Sequence, residues 1–296
     1  MIAMGIGFAE TKEAATPHAA RKKIVVSIMP QIAFVKAIAG ERAQIMALLP
    51  PGASEAYYDP TPEQLQFLSN ADVYMMVGHL PFERTNLNRF RNINPGMLIV
   101  NMSQNLPLRR IEDDMFSKKK KGAFHTHHPE ELDPHIWLSP RLVMKQAERI
   151  AQTLSGLDPA FHSLYEKNKT DFVQKLERLD SFIQKQIGTP STSQNKIVVY
   201  HPFLGYFCDD YGLKQISIEV EGKEPTSRYM NHLIKFAKEN KIRGILAQRQ
   251  FGKSISLTLS KEFNGMVIEF DPLGPDYISN MEQLGESVAA LLYGKK

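Results

Sequence analysis

Residues 158–187 read DPAFHSLYEKNKTDFVQKLERLDSFIQKQI. Phe161, Leu164, Tyr165, Phe172, Leu176, Leu179, Ile183 and Ile187 recur at three- and four-residue steps. That spacing lines apolar side chains along one face of a helix. Asp158-Pro159 supplies an N-cap and a first-turn proline, and Gly188 opens the loop that ends the run. A helix over residues 159–187 would be about 43 Å long at the standard rise per residue. That is more than one crossover in a compact sheet requires. The reading is a helix that runs the length of the molecule and joins two lobes.

On its N-terminal side, short β-branched or apolar runs at 24–28 (IVVSI), 43–49, 72–77 (DVYMMV) and 97–100 read as strands. Helical patterns fall between them at 31–39 and from Thr61-Pro62, an N-cap followed by a first-turn proline. A further helix over 141–154 precedes the long one. On the C-terminal side, strands at 197–200 (IVVY), 215–218, 242–247 and 265–270 (GMVIEF) alternate with helices near 226–240, 254–264 and 279–293. Alternation of this kind predicts an α/β protein. Each of its two lobes would be a mainly parallel sheet flanked by helices, and one long backbone helix would join them. The expected divisions are an N-terminal lobe over 24–140, linking helices over 141–187 and a C-terminal lobe over 188–296.

The composition is that of a soluble globular protein: 296 residues, 43% hydrophobic, 23% charged, net charge +4. No zinc-finger spacing, aromatic RNA-binding motif or basic helix points to nucleic acid. Cys208 is the only cysteine, so any metal must sit on His, Asp and Glu. No apolar run reaches the roughly 20 residues a bilayer span needs. Residues 1–9 (MIAMGIGFA) are apolar and end in small residues, and residues 10–23 are polar and Ala-rich. The expectation is a secretory signal remnant or flexible N-terminus over 1–23, and a periplasmic protein.

In open α/β sheets, ligands bind outside the carboxyl ends of the strands. His201-Pro202 follows the strand at 197–200, and Asp271-Pro272 follows the strand at 265–270. A loop with Glu55 follows the strand at 43–49, and Asp133-Pro134-His135 precedes the helix at 141. Two imidazoles and a carboxylate thus come from separate segments, each beside a backbone-stiffening proline. Nitrogen and oxygen donors suit zinc, and manganese prefers more oxygen. A lone His after a strand is more often a hydrogen-bonded surface or core residue, so both readings stand at this point. An open His2Asp site with Glu55 or Glu83 as base would also suit a zinc hydrolase. The chain offers no HExxH, nucleophile elbow or paired catalytic carboxylates, and the expectation is no enzyme.

Taken in order and spacing, four segments resemble the motifs of the zinc/manganese solute-binding proteins of ABC transporters, cluster A-I. They are Leu49-Pro-Pro-Gly-Ala-Ser-Glu55, Asp133-Pro-His135-Ile-Trp-Leu-Ser-Pro, His201-Pro-Phe-Leu-Gly-Tyr-Phe and Asp271-Pro-Leu-Gly. The resemblance runs from about residue 24 to the C-terminus. It implies a monomeric extracytoplasmic receptor that captures a metal ion between two lobes. The ion would pass to an ABC permease and its ATPase. His135, His201 and Asp271 fall on three of the family's four ligand positions. Manganese members usually carry Glu at the place of His201, so the resemblance implies Zn2+, with Mn2+ as the alternative. His125, His127 and His128, after the lysine run at 118–121, resemble a short form of the His-rich loop of zinc members. Tyr57, Tyr58, Trp137 and Phe203 would wall the site, and Arg249 would hold Asp271 or a neighbouring carboxylate. The chain departs from the pattern at Ala56, where the family has its first His. Glu55, water or a loop His would fill that place. A decayed site would leave an adhesin or interaction protein of the same fold.

Overall fold

The computed structural model describes residues 21–53, 58–111, 132–220, 222–248 and 253–294. The N-terminal lobe holds β1 (Lys22–Val26), α1 (Met29–Ala39), β2 (Ala43–Ala47), α2 (Pro62–Leu68), β3 (Val73–Met76), α3 (Pro81–Ile93) and β4 (Leu98–Asn101). Then come α4 (Pro140–Leu157) and α5 (His162–Ile187). The C-terminal lobe holds β5 (Lys196–Val199), α6 (Gly205–Tyr211), β6 (Lys214–Ser217), α7 (Ser227–Glu239), β7 (Gly244–Gln248), α8 (Lys253–Lys261), β8 (Met266–Phe270) and α9 (Tyr277–Tyr293).

The two lobes share one topology. Their sheets run β2-β1-β3-β4 and β6-β5-β7-β8. Every strand pairing in them is parallel. In each lobe the strand order reverses beside the first strand, between β1 and β3 and between β5 and β7. That reversal opens a crevice at the carboxyl ends of the strands. Strands buried on both faces need continuous apolar runs, which is why β3 (VYMM) and β7 (GILAQ) are buried at every position.

The long helix forms as its periodicity requires. Tyr165, Phe172, Leu176, Leu179, Ile183 and Ile187 are its buried residues, and it packs on α1, α4 and α9. At 26 residues it is about 39 Å long. One apolar core runs through both lobes beneath it, from Ile24 and Phe34 to Phe207, Leu284 and Leu292. A smaller cluster around Val198, Ile216, Leu233 and Leu259 fills the other side of the C-terminal sheet.

The structure departs from the sequence reading in four places. Asp158 caps no helix with its side chain; the carboxylate accepts from Arg42 at 2.9 Å and Tyr165 at 3.2 Å instead. Pro159–Phe161 is a 3-10 turn, and the α-helix starts after it. Lys22 and Lys23 belong to β1, not to the N-terminal extension, since they pair with Ala43 and Gln44. Helices α3 and α6 were not anticipated: α3 is dominated by Arg, Asn and Glu, and α6 is too short and too fully buried to show a period. The proposed signal remnant lies mostly outside the described residues. Among the described residues, no helix is long and apolar enough to cross a membrane.

Candidate metal centre

The Asp133-Pro-His segment fixes the orientation of its own imidazole. Asp133 Oδ1 accepts from the His135 backbone N–H at 3.0 Å and lies 2.7 Å from His135 Nδ1. A carboxylate only accepts, so Nδ1 carries the proton and the ring lone pair is on Nε2. Both residues are buried. Their backbone is pinned from two sides. Asp133 N–H donates to Arg109 C=O at 3.0 Å, and the Tyr206 hydroxyl donates to Asp133 C=O at 2.9 Å. The Arg109 guanidinium and the Asp133 carboxylate both lie over the Cα of Gly205, where a Cβ would collide with them. A glycine is therefore needed at the start of α6 for this close approach.

His201 comes from the other lobe. It follows β5, the strand next to the reversal in strand order. Its ring stands edge-to-face with His135, with centroids 5.3 Å apart. Its Nδ1 lies 3.2 Å from Glu219 Oε1. Trp137 leans on His135 at 5.2 Å and donates its indole N–H to Pro272 C=O at 2.9 Å. Phe203 stacks on Phe270 at 6.1 Å. Asp271 follows β8 directly. Its Oδ1 accepts from Leu273 N–H at 2.9 Å, and its carbonyl accepts from Asn280 at 2.8 Å.

The structure thus brings His135 and His201 together and ties the His135 segment to the Asp271 segment through Trp137. Among the described residues, no group of three or more His, Cys, Asp and Glu side chains is gathered tightly enough to hold a metal. Glu55, Ala56, Tyr57, His125, His127, His128 and Arg249 lie outside the described residues. The Tyr58 hydroxyl donates to Gln64 at 2.8 Å, and its ring is edge-on to Phe82. Glu219 is the residue that sequence reasoning missed. No motif marks it, because only strand pairing sets it beside His201.

Glu83 cannot serve as a hydrolytic base. It is fully buried, and its carboxylate accepts from the N–H groups of Val77 at 2.7 Å, Gly78 at 2.8 Å and Leu80 at 3.3 Å, and from the Ser27 hydroxyl. Burial pushes its pKa up to about 7 against the pull of those donors. Its oxygens hold the turn into α3, out of reach of a substrate.

Two like-ordered parallel sheets flanked by helices define a two-lobed α/β protein, in which His201 and Asp271 follow strands of the C-terminal sheet and His135 stands ahead of α4. The chain belongs to the family of zinc-uptake complex component A, periplasmic (ZnuA), whose model matches residues 24–290. It is 28% identical over 279 residues to the zinc-binding lipoprotein AdcA of Streptococcus pneumoniae (strain TIGR4), covering 88% of this chain and 54% of AdcA. The chain therefore spans about half the length of that relative. It is 24% identical to the high-affinity zinc uptake system protein ZnuA of Bacillus subtilis, covering 96% of this chain and 91% of that protein. A crystal structure of ZnuA superposes with a TM-score of 0.82 at 33% identity, covering 92% of this chain and 99% of that one.

Proposed function

We propose that the protein is the solute-binding component of an ABC metal importer. It takes a divalent transition metal between its lobes, zinc first and manganese as the alternative. It works in the periplasm and delivers the ion to a membrane permease driven by an ATPase. The observation that carries this reading is the meeting of His135 and His201, one from each lobe, with ring centroids 5.3 Å apart. Imidazole nitrogens favour zinc over manganese, which prefers oxygen donors. The ligands are His135, His201 and Asp271, with Glu55, water or a loop His at the place vacated by the family's first His. The protein binds and releases the ion without reacting it, and Trp137 and Phe203 shield the cleft.

Zinc titration of the purified, metal-stripped protein tests this. One ion bound with sub-micromolar affinity, and no turnover of ester, peptide or phosphate substrates, is the expected result. No binding of zinc or manganese would overturn it.

A further inference from the structure

Glu219 approaches His201 from a separate strand, and the approach is set by backbone pairing. The β6 ladder continues past its end. Ile218 N–H donates to Val199 C=O at 2.9 Å, and Glu219 N–H donates to Tyr200 C=O at 2.9 Å. Just beyond, Val220 and Lys223 exchange backbone hydrogen bonds of 3.1 and 3.0 Å. These close a tight turn in which Gly222 takes a φ of +71°. Glu219 is thus anchored on both sides, and its side chain is 15% exposed. Its Oε1 lies 3.2 Å from His201 Nδ1.

We infer that Glu219 is the positioning residue of His201, holding Nδ1 protonated so that Nε2 is presented to the cleft. This rests on the reading of His201 as a ligand. It makes the two imidazoles a matched pair, because Asp133 holds His135 Nδ1 in the same way at 2.7 Å. Glu219 is not itself a ligand to the same ion. It sits on the Nδ1 edge of the ring, and the ion would sit on the Nε2 edge. Carboxylate partners of this kind fix the tautomer and raise the basicity of a coordinating imidazole, and losing one typically weakens metal binding by about 10–100-fold.

The test uses the full chain, zinc alone as ligand, and long-range 1H–15N spectra of the histidines in the metal-free protein. Wild type should show His201 in the Nδ1–H tautomer. Glu219→Ala should mix the tautomers and weaken zinc binding by about 10–100-fold. Glu219→Gln keeps an oxygen acceptor and should restore most of both. A Glu219→Ala protein with an unchanged tautomer and unchanged affinity, alongside a His201→Ala protein that has lost tight binding, would overturn the role of Glu219 alone. If His201→Ala binds zinc like wild type, the ligand assignment fails. The tautomer spectra then still decide whether Glu219 orients the ring.

Discussion

The indole N–H of Trp137 is bonded to the carbonyl of Pro272 across 2.9 Å, joining the segment that carries His135 to the segment that carries Asp271. Trp137 is buried, so that carbonyl has no water to turn to if the indole is removed. Trp137→Phe should cost about 1–3 kcal/mol, the penalty of stranding a buried acceptor. The same change should weaken zinc binding several-fold, because the two segments lose their tie. Thermal melting and a zinc competition assay would check this; a variant equal to wild type in both would show that the bond positions nothing.

The ligand proposal predicts opposite signs at two positions. His135→Ala should weaken zinc binding by more than about 100-fold, since disturbing only a ligand's partner already costs 10–100-fold. Ala56→His should tighten binding by restoring an imidazole where the family has one. Calorimetric titration of both variants decides it. A weaker Ala56→His protein would mean that the cleft has been rebuilt around another group.

Asp133 should matter to both binding and folding. In Asp133→Asn the new amide N–H2 would lie beside the Arg109 guanidinium over Gly205. The melting temperature should fall, while Asp133→Ala, which removes the acceptor of His135 Nδ1, should weaken zinc binding by about 10–100-fold. Unaltered affinity in a folded Asp133→Ala protein would show that the 2.7 Å pairing does not orient His135.

Glu83 should tie stability to pH. Burial raises its folded-state pKa to about 7, above the unfolded carboxyl value. The folded state therefore holds the proton more tightly. The stabilisation from this group is fully present below about pH 4.3 and is lost as pH rises through about 7, up to roughly 3–4 kcal/mol in all. Glu83→Gln turns an N–H2 toward backbone donors and should be less stable than wild type by about 1–3 kcal/mol. It should also lack that portion of the pH slope. Denaturant melts between pH 4.5 and 7.5 would show it; parallel slopes for the two proteins would refute the assignment.

Much of the fold was legible along the chain, because its signals are local. The three- and four-residue spacing from Phe161 to Ile187 marks the long helix without reference to any neighbour. Short β-branched runs mark most strands for the same reason. Helix α3 was missed because Arg84, Asn88, Arg89 and Arg91 cover the face that solvent sees, and its buried face is carried by Phe82, Asn86 and Phe90. Asp158 was misread because Arg42, more than a hundred positions earlier, takes its carboxylate.

His135, His201 and Asp271 could be singled out as candidates from the prolines beside them and from their places after strands or before a helix, and the resemblance to the solute-binding family marked Ala56 as a departure from its pattern. Those are properties of short segments, so the order of residues determined them. Tertiary structure alone decided which atoms meet. It stood His135 against His201, gave His201 a carboxylate on Nδ1 from a segment 18 positions away, and sealed Glu83 inside the first turn of α3. The physical reason is range. Helix periodicity and turn chemistry act over a few residues, whereas the pairing of β5 with β6 and the packing of α6 under Arg109 bring distant residues within hydrogen-bond reach, where the choice of donor nitrogen is made.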